Sequence, residues 1–204
     1  MLPPVEVQMK KQILDRYEKS SAGSLIIDVA AWRVEDLYEN FDKNAPYHRK
    51  DLDGDLVAYI TGCVREIGPR DFVVRFSIEH ALSDELMAMV RDGMHAFFMY
   101  QKELEYIAMK KMVRTSSFLL VTGVLILGVS LRVNHLLALS GTVSFLNRFF
   151  AEGLTIVAWV SIWEGLATFL LNWAPYLFRT RLFQRIAQAP VLFRFAGERT
   201  ESVT

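Results

Sequence analysis

The segment Asp51-Leu52-Asp53-Gly54-Asp55 gathers three carboxylates within five residues, an alternation that calcium-binding loops use. Such a loop also needs a glycine at its sixth position and a bidentate glutamate at its twelfth. Here those positions hold Leu56 and Gly62, so helix capping accounts for the acids. The four histidines, His48, His80, His95 and His135, show no ligand spacing with one another or with Cys63. Cys63 falls on the apolar face of an expected helix, which suits an inert buried thiol better than a nucleophile. There is no glycine-rich phosphate loop and no serine or cysteine elbow. These residues predict no catalytic, cofactor-binding or metal role, and hence a protein that is not an enzyme.

One further residue stands out by its surroundings. Glu164 is the single charge in the 25-residue run Gly153–Leu177, and a second run, Thr115–Leu131, has 17 residues and no charge. A hydrocarbon core of roughly 30 Å takes about 20 residues of helix, so the first run sits at the lower limit and the second crosses with tilt. About ten Leu, Ile, Val and Phe residues per run contribute about −3 to −6 kcal/mol to insertion, against about +2.5 to +3.5 for one charge at the midplane. Glu164 costs much of that gain without forbidding insertion. An ionisable group at this depth is a functional candidate by default. Two roles fit it: a protonated or tryptophan-bonded acid that fixes helix packing, or an acid beside a hydrated path.

The elements around these runs set the topology. Lys102, Lys110, Lys111 and Arg114 precede the first run, and Arg179, Arg181, Arg185, Arg194 and Arg199 follow the second, whereas the connector holds only Arg132 and Arg148. The positive-inside rule then puts both termini in the cytoplasm and requires two spans. Within the connector, Leu136, Leu139, Val143, Leu146 and Phe150 recur at helical spacing, which predicts a periplasmic helix lying at the interface. Residues 1–11 lack an apolar h-region, so no cleaved signal peptide is expected. A lone cysteine excludes an internal disulfide. The chain carries 23 basic and 23 acidic residues, yet residues 178–204 are basic. That tail would anchor the topology or lie against anionic headgroups. The domain is not basic enough to suggest nucleic acid as a partner.

Residues 1–82 read as a small cytoplasmic α/β domain. A short helix over 6–19 ends at Ser20-Ser21-Ala22-Gly23, and Ser24–Ala31 reads as a strand. Val34, Leu37, Tyr38 and Phe41 suggest one or two helical turns, ended by Asn44-Ala45-Pro46. Asp55–Ile67 is a helix burying Leu56, Ile60, Cys63 and Ile67, with an aspartate N-cap and Gly68-Pro69 as its stop. Phe72–Glu79 alternates as a strand, with Phe72, Val74, Phe76 and Ile78 inward. Ser83 caps a helix with no stop signal through Leu131, predicted as one rod on the order of 70 Å. Its stripe of Leu86, Val90, Met94, Phe97, Gln101, Leu104, Ala108 and Met112 needs cover, from the domain folding back or from neighbouring rods.

Two strands and one helix make a marginal core, and self-association would relieve both deficits. The apolar runs offer surfaces for it. Ala158, Ser161, Gly165, Thr168 and Asn172 form a small-residue ridge, and Ser116, Gly123 and Ser130 recur every seven residues. Small residues let helices approach closely in lipid, either between the two spans of one chain or between subunits.

The motif Trp159-Val160-Ser161-Ile162-Trp163-Glu164-Gly165, continuing to Asn172-Trp173-Ala174-Pro175, resembles one in an uncharacterised family of bacterial two-span inner-membrane proteins. Tyr47–Asp53 and Phe72–Glu79 resemble it too, so the likeness covers most of residues 24–190. It implies a small cytoplasmic domain ahead of two spans, with a tryptophan-rich second span. The family pattern has a basic residue and a proline where Glu164 and Gly165 stand, and an acid near Ala167, so a buried charge pair does not carry over. The family lends no activity. Magnesium transporters with cytoplasmic funnels are similar in outline only, since their Gly-Met-Asn signature is replaced by Leu131-Arg132-Val133-Asn134.

The expected architecture is thus an α/β domain (1–82), a stalk helix (83–114), a first span (115–131), a periplasmic connector (132–152), a second span (153–177) and a basic cytoplasmic tail (178–204). The expected role is a homo-oligomeric scaffold or accessory subunit of the cytoplasmic membrane. Its expected partners are anionic lipid at the tail, further copies of itself or another membrane protein. The competing expectation is an ion-conducting assembly with Glu164 near the path. Helix packing or a pore would use Glu164, Gly165, Ser161, Thr168, Asn172, Trp159, Trp163, Ser116, Gly123 and Ser130.

Overall fold

A computed structural model describes residues 14–39, 46, 50–139 and 145–195. The elements are β1 (Glu18–Lys19), β2 (Leu25–Ala31), a 3-10 turn (Val34–Leu37), α1 (Gly54–Ile67), β3 (Phe72–Ile78), α2 (Asp84–Leu139), α3 (Phe145–Ala187) and β4 (Val191–Phe195). They divide into two compact units, one holding Met1–Lys102 with Arg181–Thr204 and the other Glu103–Thr180.

The first unit is built on a four-stranded sheet in the order β1-β2-β3-β4. β1 runs antiparallel to β2, while β2, β3 and β4 are parallel. The register Leu25↔Phe72, Ile27↔Val74, Val29↔Phe76 places the inward residues of both central strands on one face, as their alternation predicts. Against that face pack Leu56, Ile60, Cys63, Val64 and Ile67 of α1, Val90, Met94 and Phe98 of α2, and Leu182, Ile186 and Ala187 of α3. The expected caps of α1 are present: Asp53 accepts from the amides of Asp55 and Leu56 at 3.0 and 3.1 Å. Gly68 closes the helix at φ 69°, a left-handed value that favours glycine.

Several expectations are corrected. Glu18–Lys19, expected within a helix over 6–19, is a strand, and residues 6–13 lie outside the described residues. The pairing with β2 that makes it a strand is tertiary and leaves no mark on two residues. Phe41, Asn44, Ala45 and Tyr47–Arg49 likewise lie outside the described residues. The rod continues past Leu131 to Leu139, because no glycine or proline interrupts it before Gly141. The interfacial helix over 133–150 is therefore not a separate element. Val133–Leu139 ends α2, residues 145–150 open α3, and residues 140–144 fall outside the described set.

The largest correction concerns the basic tail. Over 178–195 the chain continues α3 to Ala187 and then forms β4, which pairs in parallel with β3. Its apolar positions govern its placement: Leu182 and Ile186, one turn apart, are buried, and Phe193 stacks on Phe76 with ring centroids 5.9 Å apart. Arg185 donates to the carbonyls of Gly68 and Arg70, each at 2.7 Å, and its guanidinium covers the Phe72 ring. His95 Nδ1 lies 2.8 Å from the Ala187 carbonyl at the end of α3, and Arg91 donates to Val191 O at 3.3 Å. Arg199 lies outside the described residues. The marginal core is thus completed from within the chain, and the start of the long α2 stripe is covered by the same domain. Beyond it, Leu104 and Ile107 are exposed.

If 178–195 is domain rather than lipid-bound tail, Ile186→Ala should lower the domain's unfolding free energy by about 2–5 kcal/mol, the cost of deleting buried aliphatic atoms. Thermal unfolding of the purified protein checks this. A silent Ile186→Ala would contradict the packing of this segment.

Candidate functional site

The second unit is an antiparallel pair of helical segments whose contact is made by small residues in heptad register. Ser116, Gly123 and Ser130 of α2 are buried, as are Ala151, Ala158 and Gly165 of α3. A Cβ built on Gly165 would meet Leu120 Cγ at 2.9 Å and the backbone of Leu120 and Ser116 at 3.0 Å. One on Gly123 would meet Ile162 at 2.7 Å and the Ala158 carbonyl at 3.2 Å. Both glycines are needed because backbone meets backbone there. At the far end of the seam Ser130 Oγ lies 2.6 Å from Thr155 Oγ1, and it donates to Ala151 O at 3.4 Å. Two further partners, Ala151 and Thr155, lie before the expected ridge. The seven-residue spacing of Ser116, Gly123 and Ser130 calls for small residues at the same interval on the facing helix, which points to Ala151 but not to Thr155.

The expected ridge on α3 therefore divides. Ala158 and Gly165 serve the seam, while Ser161 and Thr168 are half-buried beside it and Asn172 is exposed. Ser161 donates to Val157 O and Asn172 to Thr168 O, each at 2.9 Å and each within its own helix. Glu164 is exposed next to them. Among the described residues, it makes no hydrogen bond or ion pair. Trp159 and Trp163 are 60% and 70% exposed on the opposite flank. The indoles do not bond Glu164, so the tryptophan-bonded acid is not what the helix shows. Arg179 pairs with Glu105 at 3.4 Å across the two helices, an exposed contact of small energetic weight.

By length and composition both helices could cross a membrane. Only 17% and 11% of their most apolar windows are buried within the chain. The core helix of a water-soluble protein is mostly buried, and these two helices are not.

A separate polar cluster lies on the outer face of the sheet. Arg75 binds Asp28 through Nε at 3.1 Å and Nη2 at 2.7 Å, and Nη2 also reaches Glu18 at 2.8 Å. Ser77 donates to Asp28 Oδ1 at 2.8 Å. The Arg75 hydrogen bonds hold the Asp28 carboxyl below the usual carboxylate range, with burial opposing and Ser77 and Arg194 assisting. The same bonds raise the Arg75 guanidinium above its ordinary value. The sequence marks Arg75 only as outward-facing; the parallel register that puts Asp28 beside it was not legible. This cluster is satisfied within the domain and has the form of a structural clasp. Of the three acids near α1, Asp51 lies in the preceding loop, Asp53 is the N-cap and Asp55 is in the first helical turn, and no group able to hold a metal ion occurs among the described residues. His48 lies outside them.

Comparison with protein-family models, with curated proteins and with solved structures finds no match to this chain.

Two outcomes test this geometry. Gly165→Ala should push the helices apart and destabilise the hairpin by about 1–3 kcal/mol, whereas Leu170→Ala, on an exposed position, should be near neutral. Helix-pair stability in detergent under increasing denaturant separates the two. For the clasp, Asp28 has a lowered folded value, so its stabilisation is present above the unfolded value of 3.8 and is lost as pH falls through the folded one. The stability gap between wild type and Arg75→Met should be flat above about pH 4 and shrink below it. A gap that grows under acid would contradict the pairing.

Proposed function

We propose that the protein is a non-catalytic integral protein of the cytoplasmic membrane, presenting its α/β domain there as a homo-oligomeric scaffold or accessory subunit. The observation that carries this reading is the pairing of β3 with β4, whose connecting chain is the apolar helix pair. The two flanks of that pair share one sheet, so a membrane crossed by both helices has both flanks on one side. Lys102, Lys110, Lys111 and Arg114 before the first run and Arg179, Arg181 and Arg185 after the second agree in sign, and the positive-inside rule makes that side cytoplasmic. The likeness of the Trp159–Pro175 motif to two-span inner-membrane proteins supports the same placement.

Reporter fusions test the anchor. A reporter after Thr204 and one before Ser24 should register as cytoplasmic, and one inserted near Ser140 as periplasmic. An exported C-terminal fusion would end the two-span reading.

The outward placement of Glu164 favours a second reading, an ion-conducting assembly in which acids from several copies line a path. On that reading Glu164→Gln alters cation flux in reconstituted liposomes while leaving assembly intact. Wild-type liposomes no leakier than empty vesicles, across several ions and potentials, would leave the scaffold.

A further inference from the structure

We infer that the arc of α2 formed by Lys110, Lys111 and Arg114 is a binding surface for anionic lipid headgroups, set at headgroup depth by the register of the two long helices. The inference rests on the reading of the helix pair as a membrane anchor. It goes beyond that reading in naming the residues that meet the lipid and the lipid charge they select.

The register comes from the seam. Gly165 faces Ser116 and Leu120, Gly123 faces Ala158 and Ile162, and Ser130 faces Ala151 and Thr155. It holds as far as Glu105, which pairs with Arg179. The same register sets Arg114 level with Phe169, and Lys110 and Lys111 level with Asn172 and Trp173. At the other end it sets Arg132 level with Glu152. Between these levels α2 is the uncharged run Thr115–Leu131, about 25 Å long at 1.5 Å per residue. Basic side chains at its ends can snorkel over the few ångströms that a hydrocarbon core of roughly 30 Å still requires. The shorter run therefore fixes the slab, and the Gly153–Leu177 run stands outside it from Phe169 onward. Glu164, central in its own run, lies only about 7 Å inside the Arg114 level. Trp173 is exposed and stacks on Phe169 with ring centroids 6.2 Å apart, at the depth where amphipathic indoles settle.

On a helix of 3.6 residues per turn, Lys110, Arg114 and Lys111 fall within an arc of about 100° on the side of α2 away from Ser116. All three are exposed, and among the described residues they form no ion pair. Phe118, Val121, Leu125 and Val129 continue the same arc into the slab, each of them exposed. Nearer the domain the arc is mixed, with Ile107 and Glu103 exposed. One face thus passes from apolar to basic within a turn, the order in which a lipid leaflet presents acyl chain and phosphate. A water-soluble acidic partner would match the three cations and leave the four apolar residues bare. The basic residues expected to meet lipid from the tail are engaged elsewhere: Arg185 bonds the carbonyls of Gly68 and Arg70, and Arg194 acts on Asp28.

The test uses the full chain in detergent, offered phosphatidylglycerol and phosphatidylcholine with identical acyl chains, and reads retained lipid by native mass spectrometry. Wild type should retain phosphatidylglycerol in preference. Changing Lys110, Lys111 and Arg114 together to glutamine should lower that preference by about fivefold for each charge removed. Lys19→Gln, Arg65→Gln and Arg70→Gln combined, which remove as many exposed cations from the domain, should leave it unchanged. Since the triple variant of α2 can fail to insert, Lys110→Gln and Arg114→Gln are also read singly, each with an expected loss of about fivefold. A wild type that holds both lipids equally, single variants as selective as wild type, or a domain variant that loses as much as the α2 variant would overturn the inference. Equal retention by a protein whose Ser140 reporter is periplasmic defeats this inference and spares the anchor; a cytoplasmic Ser140 reporter defeats the anchor itself.

Discussion

Neighbouring parallel strands cannot be joined by a tight turn, because the chain must travel back the full length of the sheet before it can pair again. For β2 and β3 that return is made by α1, in the ordinary way. For β3 and β4 it is made by two long apolar helices and the link between them. The domain's core depends on this second crossover. Without it β3 has a bare edge, and Val90, Met94 and Phe98 lose Leu182 and Ile186 from the cluster they share. The domain and the helix pair are separate compact units, yet the β3 edge of the sheet is covered only by chain that has passed through the pair.

The helix pair has its own constraint, and it is steric. On the membrane reading, lipid supplies no hydrophobic drive between helices, and contact comes from backbone approach and a few hydrogen bonds. Glycine at 123 and 165 permits that approach, and Ser130 with Thr155 supplies the bond. Within the chain the seam repeats every seven residues on both helices. The remaining polar residues of α3 are set apart from the seam, which is why Glu164 and Gly165, adjacent in sequence, have different neighbours.

Much of this was legible in the sequence, for identifiable reasons. The α1 stripe, its Asp53 and Gly68 caps and the alternation of Phe72–Ile78 are local patterns, and the structure reproduces them. The seam residues Ser116, Gly123 and Ser130 were visible as a heptad, although the pattern did not say which helix they met. What was not legible depended on distant partners. Val191–Phe195 alternates over only five residues with an arginine in it, beside a run of basic residues that reads as a topological tail. Its strand character comes from β3, more than a hundred residues earlier. The Arg75–Asp28–Glu18 clasp is of the same kind, since each member is unremarkable until the β2–β3 register brings them together.

The position of β4 at the end of the described chain also has a consequence for biosynthesis. Domains form as units in the order in which the ribosome releases them, at about 5–20 residues per second. Here β1, β2, α1 and β3 emerge first and then wait, with one strand edge unpaired, while both apolar helices are made. Only after α3 is synthesised does β4 arrive to cover that edge. Completion of the sheet therefore follows synthesis of the helix pair. A chain released before Leu182 would keep an open strand edge and an unfilled core, so the domain's integrity is decided by residues made late.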